Sequence, residues 1–531
     1  MKEYSIWELT RRNASLYPDR TAYIFDDIPH TWKDVENDSS AIAILLSLNG
    51  VRHGSHVAIW GVNSYDWVIT MLACLKLGAV CVLANYSYQA HEIKHVLNEG
   101  GAAEFLIIGE PKDGLSYDEI IQELGDQIHL KKIKHMSCLM DSIPSIDLND
   151  YQAEITAMHE KSDPDDTALI IFTSGTTKAP KGVMLSNRNI FGITETIAQE
   201  QGWTKDDIQL ITLPMYHGSG ANACVFTGIQ AAVTSVIMRY YASVPVMEAI
   251  QRYKVTAFNV VPALLLVMMN HKDFNKYDLS TLKSGVWSGA GITRDNFLKV
   301  SKVFDLRHVK MAYGQTEAST LSTMSGDNDC LEMKMASCGK PLPGVEMRIF
   351  HPGKKMELGA GMTGEIQING CTKMQGYFNL QEENAGKFEE DGWMKTGDLG
   401  YMDVDGNLYF VGRMSEMIVR GGENISPAEI EDCIQSYGEM MDQIFVTGVK
   451  SDVMNEEIAA FYTASETVDA EKIRAYIASK LAKFKVPRYI CQMKEFPMND
   501  NGKIDKRKLK RLAENMGADI SEDLIVSVSA R

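Results

Sequence analysis

Hydroxyls, glycines and lysines crowd into one stretch, Thr173-Ser174-Gly175-Thr176-Thr177-Lys178-Ala179-Pro180-Lys181-Gly182, directly behind the apolar run from Ala168 to Phe172. A strand emptying into such a loop aims backbone N–H groups, hydroxyls and ammonium groups at one point, and that combination grips an anion. A polyphosphate is the natural occupant, with ATP as the first candidate. The spacing departs from the GxxxxGK[ST] loop, because the first Lys-Gly after Gly175 begins six positions on and no Lys-Ser/Thr pair opens a helix. An ordinary P-loop kinase or ATPase is therefore disfavoured. A solvated Ser/Thr/Gly loop has the same composition, so the decision falls to the rest of the chain.

Further segments carry groups with chemical uses. Leu213-Pro214-Met215-Tyr216-His217-Gly218 sets an imidazole behind an aromatic ring, and Ser288-Gly289-Ala290-Gly291 is a small-residue stretch that lets a ligand approach backbone. Tyr313-Gly314-Gln315-Thr316-Glu317 gathers a ring, a hydroxyl and a carboxylate in one turn. Thr396-Gly397-Asp398-Leu399-Gly400 offers a carboxylate that can accept from two hydroxyls at once, and Arg413 follows Asp398 by fifteen residues. Near the C-terminus, Pro497-Met498-Asn499-Asp500-Asn501-Gly502-Lys503-Ile504-Asp505 places an ammonium, that of Lys503, in a turn-rich stretch. Taken singly, each has a plain structural alternative: a packed histidine, a capped turn, an Asp turn, a solvated basic tail.

Taken in order, from roughly Trp7 to Leu509, these segments resemble those of the acyl-adenylate-forming superfamily, the AMP-binding enzymes that include acyl-CoA synthetases, adenylation domains of peptide synthetases and firefly-type luciferases. The resemblance implies an ATP-dependent acid:CoA ligase that forms acyl-AMP with release of pyrophosphate and then acyl-CoA. ATP, Mg²⁺ and coenzyme A are the implied cofactors. It further implies that Thr173, Ser174, Gly175, Thr176, Thr177 and Lys181 hold phosphates, and that Gly289 and Ala290 pass close to adenine. Tyr313 would stack on that ring with Gly314 and Gln315 beside it, Thr316 would bond the α-phosphate, and Thr176 and Glu317 would hold Mg²⁺, a hard cation that takes oxygen ligands. Asp398 and Arg413 would grip the ribose, and His217 would sit near the carboxylate being activated. Lys503 would be the catalytic cation, offsetting the repulsion between a carboxylate and a triphosphate. Because the thiol must later attack where that lysine stood, the family turns its C-terminal domain about the residue two after Arg413, and Gly421 and Gly422 then line a pantetheine tunnel. Here the pivot is Ser415 followed by Glu416, where Asp or Lys and then Asp are usual, and Lys178 replaces a usual Gly.

The elements that must position these groups are legible in outline. Apolar runs at Val57 to Trp60, Val80 to Leu83, Phe105 to Ile108, Ala168 to Phe172 and Ala257 to Val261 alternate with helix-like stretches, which reads as α/β with buried sheets. Past about Gly344, short strands with turn signals at Pro352-Gly353 and Asp405-Gly406 predict a small β-rich subdomain. Ser426, Pro427 and Glu429 predict a helix start with a capping box, followed by strands at Gln443 to Val449 and Ile458 to Tyr462 and a basic helix over Lys472 to Lys483. The expectation is α/β: a large multi-lobed N-terminal domain of two α/β lobes plus the β-rich subdomain over 1–414, and a small α+β C-terminal domain over 415–531, mobile by the resemblance.

Composition bounds the rest. A chain of 531 residues, 45% hydrophobic and 23% charged, is an ordinary globular protein, and a net charge of -17 disfavours a nucleic-acid or anionic-membrane binder. Nine scattered cysteines without metal-ligand spacing predict a reducing, cytoplasmic setting; no apolar run is long enough to span a bilayer, and the oligomeric state, a homodimer included, stays open. Small residues at Gly218, Gly220, Ala221, Ala223 and Ala290, with no charged partner beyond what Asn222 can hydrogen-bond, predict room for an apolar tail, and the segments most resemble those of bacterial medium-chain fatty-acyl-CoA synthetases, which implies a medium-chain fatty or similarly apolar acid. Aryl, bile-acid-like and carnitine-like acids, or a carrier-protein thiol as acceptor, are the alternatives.

Overall fold

Runs of Val, Ile and Leu without polar alternation need cover on both faces of a sheet, and helices supply it. In the computed structural model, His56–Trp60, Val80–Ala84, Phe105–Ile108, Lys132–His135 and Thr167–Thr173 form the parallel part of a seven-stranded sheet; Lys181–Ser186 and Gly376–Tyr377 extend it antiparallel beyond Thr167–Thr173. The structure describes the chain except residues 1–4, 161–162, 174–179, 289–293, 302–303, 305–307, 422, 439–440, 452, 499–503, 515–524 and 531. Val57, Ile59, Val82, Leu83, Leu169 and Ile170 are all at most 1% exposed. The helix Tyr65–Lys76, packed against this sheet, starts where Ser64 accepts from Trp67 N–H, and the helix Trp32–Leu48, packed against that helix, starts at a reciprocal capping box of Thr31 and Asp34.

A second sheet runs Ile28–Thr31, Thr21–Phe25, Thr234–Ile237, Ile208–Ile211, and a third runs Ser284–Trp287, His308–Tyr313, Thr323–Met324, Lys340–Pro341. The expected strand over Ala257 to Val261 is present only as isolated bridges, of Ala257 with Gln209 and Ser284 and of Val260 with Trp287, which join these two sheets. The cause is Asn259: its side-chain oxygen takes the Val286 N–H at 2.8 Å while its Nδ2 donates to Ala223 O at 2.6 Å, so a side chain replaces a rung of the ladder.

The chain divides into two compact units, Met1–Ile292 with Leu298–Met347 and Ile368–Met394, and Thr293–Phe297 with Arg348–Gln367 and Lys395–Arg531. The first holds the sheets above. Among the strands of the second, Met394–Met402 pairs antiparallel with Leu408–Arg413, within the β-rich segment expected past Gly344. Farther along, Asn455–Ala464 pairs with Met441–Ser451, Ile418–Arg420 and Tyr489–Met493, and the helices Pro427–Gln435 and Ala470–Lys480 pack Ile430, Ile434, Ile473 and Ile477 against Ile458 and Tyr462. The predicted capping box does not form. Ser426 Oγ donates instead to Val411 O at 3.0 Å, and Glu429 pairs with Lys485 Nζ at 2.6 Å. Both side chains are thus spent on tertiary contacts, which outbid the local cap.

Candidate active site

The phosphate-loop candidates sit across a strand pair. Thr173 ends one strand, Lys181 begins the next, and the two are paired in register, which ties the ends of the intervening loop together. Of the loop itself, Ser174, Gly175, Thr176, Thr177 and Lys178 lie outside the described residues, as do Gly289, Ala290, Gly422 and Lys503.

Tyr313 closes the His308–Tyr313 strand and is buried; Gly314 and Gln315 then lead into a short 3-10 turn, Thr316–Ala318. Gly314 is required there by space, since a Cβ would stand 2.1 Å from Thr320 O and 2.5 Å from Leu321 Cα. The turn closes through Gln315 O, which accepts from Thr320 N–H at 3.0 Å, and it places Ser319 and Thr320 at φ +54° and +100°. A β-branched residue at such a φ is strained, a pattern that gathers at functional sites. Asn222, fully buried, donates to Ser319 O at 3.1 Å and to Thr320 Oγ1 at 3.3 Å. Gly218 meets the same threonine: a Cβ there would lie 2.3 Å from Thr320 Oγ1, and one at Gly220 would lie 2.1 Å from Pro214 O. These two glycines therefore accommodate protein atoms, and the tail volume expected of them is filled.

His217 is half-buried at the start of the turn Gly218–Gly220, where its Nδ1 accepts the Ser219 N–H at 3.2 Å, so the neutral ring carries its proton on Nε2. Asn63 fixes the segment before it, donating to Leu213 O at 3.0 Å and accepting from Met215 N–H at 2.8 Å.

Glu317 and Lys181 come to the same ring. Tyr377, only 6% exposed, donates its hydroxyl to Glu317 Oε1 at 2.8 Å, and the Lys181 ammonium lies over its ring, 5.0 Å from the centroid. Burial, then the Glu317 charge, pushes the phenol well above its ordinary pKa, so it stays a donor. Glu317 O also accepts from Met374 N–H at 2.9 Å. Sequence reading missed Tyr377, which stands sixty residues from its partner. The only local signal was an aromatic behind a glycine at Gly376-Tyr377.

These residues fit a nucleotide with a hard divalent cation. The buried amide Nε2 of Gln315 and the Asn222 Oδ1 have no hydrogen-bond partner among the described residues, leaving polar groups for a ligand. No cluster of three or more His, Cys, Asp or Glu that could hold a metal occurs among those residues, whereas a single carboxylate beside phosphate oxygens is what Mg²⁺ takes.

The second unit carries Asp398 and Arg413, opposite each other in register, with Arg413 Nε 3.5 Å from Asp398 Oδ1; the carboxylate is buried and the arginine half-exposed. Ser415 lies in the 3-10 turn Met414–Glu416, and Glu416 pairs with Lys506 at 2.9 Å in an exposed contact of small energetic weight. Gly421 turns the hairpin of Ile418–Arg420 and Glu423–Ile425 at φ +60°, which gives it a local reason to be glycine. Flanking Lys503, Met498 bridges Ile504 and Asp505 N–H donates to Pro497 O at 2.7 Å.

The AMP-binding enzyme family matches residues 10–378, and the AMP-binding enzyme C-terminal domain matches 429–503. Among curated proteins, the putative acyl-CoA synthetase YngI of Bacillus subtilis (strain 168) is 32% identical over 95% of this chain and 96% of that protein. The mitochondrial medium-chain acyl-CoA ligase ACSF2 of Mus musculus is 29% identical over 96% of this chain and 88% of that protein. Among solved structures, the o-succinylbenzoate coenzyme A synthetase MenE of Bacillus subtilis, in complex with ATP and magnesium ion, superposes with a TM-score of 0.79 at 27% identity, covering 94% of this chain and 99% of that one.

Proposed function

The chain belongs to the AMP-binding enzyme family and is an AMP-forming acyl-CoA ligase, and from that premise we propose that its acid is medium-chain or similarly apolar and that the residues above divide the work. The carrying observation is the convergence of Lys181 and Glu317 on Tyr377, a cation and a carboxylate set beside the ends of one loop. In the first half-reaction a carboxylate oxygen attacks the α-phosphorus of ATP, and the bond to the bridging oxygen breaks to release pyrophosphate. Lys181 and the Thr173–Thr177 loop hold the phosphates, Thr316 bonds the α-phosphate, and Glu317 with Thr176 holds the divalent cation. When bound, Mg²⁺ neutralises phosphate charge and orients the oxygens. Tyr313, Gly314, Gln315, Gly289 and Ala290 seat adenine, while Asp398 accepts from the ribose hydroxyls beside Arg413. His217 offers its Nε2–H toward the acid, and Lys503 stabilises the charge built up in transfer.

In the second half-reaction the CoA thiolate attacks the acyl carbon and the C–O bond to AMP breaks. We place the functional boundary at 414/415, with rotation about Ser415 withdrawing Lys503 and bringing Gly421 and Gly422 to the pantetheine arm. For the acid, the support is the similarity to a medium-chain ligase and the scarcity of charge over Tyr216 to Cys224 and Ala312 to Thr320, where Glu317 is the one acidic residue. One methylene is worth only about 1–3 kcal/mol, so chain length is a graded preference. No helix among the described residues is long and apolar enough to cross a membrane, and the scattered cysteines, which form no disulfide, support a cytoplasmic setting.

Pyrophosphate release from ATP and Mg²⁺, measured over straight-chain, aryl and steroid-type acids with and without CoA, tests this reading. We expect turnover with medium straight chains that continues, with thioester formed, only when CoA is present. Preference for aryl or steroid acids would overturn the substrate; release indifferent to CoA would point to a carrier-protein thiol.

A further inference from the structure

Lys181 and Glu317 carry opposite charges and face one ring, yet among the described residues neither forms an ion pair. Left alone, such a pair would collapse into a salt bridge that satisfies both groups and leaves neither free for a ligand. We propose that Tyr377 is a positioning residue that keeps these two charges apart. Its phenol occupies only one Glu317 oxygen, and as a neutral donor, which leaves the second oxygen for a hard cation. Its ring face holds the ammonium 5.0 Å from the centroid, so Lys181 remains available to a phosphate.

The backbone around Tyr377 is built to hold this geometry. Tyr377 pairs with Val183 in the sheet that contains Lys181, and Phe378 N–H donates to Gly182 O at 2.8 Å. On its other side, Tyr377 N–H donates to Asn384 Oδ1 at 2.7 Å while Asn384 Nδ2 donates back to Tyr377 O at 2.8 Å. Gly376 lies at φ +144° with Asn384 Oδ1 3.1 Å from where a Cβ would be, so the asparagine clamp itself needs glycine there. Met374 N–H, three residues before the tyrosine, bonds Glu317 O at 2.9 Å, which ties both ends of the Tyr377–Glu317 contact to one segment.

This inference rests on the reading of Glu317 as a cation ligand and Lys181 as a phosphate ligand, and one set of binding measurements separates the two levels. Affinity for a non-hydrolysable ATP analogue is measured by calorimetry with Mg²⁺ and with EDTA in the wild type, Tyr377→Phe, Glu317→Gln and the double variant, with thermal midpoints recorded. Tyr377→Phe keeps the ring, and Glu317 is only half-buried, so water can replace the lost donor and the fold is retained. We expect Tyr377→Phe to lose about tenfold of the Mg²⁺-dependent gain in affinity, about 1.4 kcal/mol, with little change in EDTA or in thermal midpoint. On the Glu317→Gln background it should cost nothing further. Adding Lys181→Met to Tyr377→Phe should restore part of the Mg²⁺-dependent gain, because the competing cation is gone. An unchanged Mg²⁺ gain in Tyr377→Phe, with that of Glu317→Gln lost, overturns the role of Tyr377 and leaves the reading of Glu317 standing. An unchanged gain in Glu317→Gln overturns that reading and this inference with it. A uniform drop in both conditions with a lowered midpoint marks a merely structural residue.

Discussion

At the scale of single residues, the site is governed by close approach as much as by charge. Gly314 is the clearest case, because backbone atoms occupy the space its side chain would need and backbone cannot rotate away. Gly314→Ala should therefore destabilise the N-terminal domain by about 3 kcal/mol and abolish nucleotide binding, read by urea unfolding and calorimetry. Gly386→Ala is the control. That glycine lies in the helix Gln381–Lys387 with nothing within 4 Å of its would-be Cβ, so alanine should be neutral or stabilise by about 0.5–1 kcal/mol. The glycines at Gly218 and Gly220 teach the same lesson from the other side: composition suggested empty volume, but Thr320 and Pro214 fill it.

At the scale of elements, the helix Pro427–Gln435 shows how packing redirects local chemistry. Its Glu431 accepts the Val446 N–H at 2.8 Å, yet burial outweighs that bond and the lesser pull of Lys506, and its pKa is pushed up to about 7. The folded state therefore holds a proton that the unfolded chain releases above its ordinary value of 4.5. Stability from this group is greatest below the unfolded pKa, declines as pH rises from about 4.5 to about 7, and is level beyond. Glu431→Gln removes the titration while keeping an acceptor for Val446. The variant should lose part of the wild type's fall in thermal midpoint between pH 5 and pH 8 and be the more stable protein at pH 8; parallel midpoint profiles for the two proteins would count against a raised Glu431. In the same unit, Asp398 stands seven residues before Asp405 and Arg413 seven after Gly406, so closure of one hairpin is enough to face them.

At the scale of the whole molecule, the proposed division of work has one chain serve two half-reactions that make incompatible demands on the space beside the α-phosphate. If Lys503 belongs only to the first, Lys503→Ala should slow adenylation by about 100- to 1000-fold while thioester formation from preformed acyl-AMP changes by less than about threefold. Single-turnover assays of each step decide this, and equal impairment of both would remove the case for a domain that withdraws its lysine.

The sequence by itself determined the α/β class and the family, because loops that hold nucleotides carry their chemistry as contiguous residues and a strand's burial is written in its own apolar run. The candidate positions Thr173 and Lys181, Tyr313 to Glu317, and Asp398 with Arg413 stand out in the sequence for that reason, and their roles are those proposed above. Only the tertiary structure decided what depends on atoms far apart in the chain. It brought Tyr377 to Glu317 across sixty residues, let Asn259 replace a rung of the expected strand, spent Ser426 and Glu429 on other contacts than a cap, and put Thr320 where Gly218 had promised room. A side chain has one set of hydrogen bonds to give, and which neighbour receives them is settled by packing that no local pattern encodes.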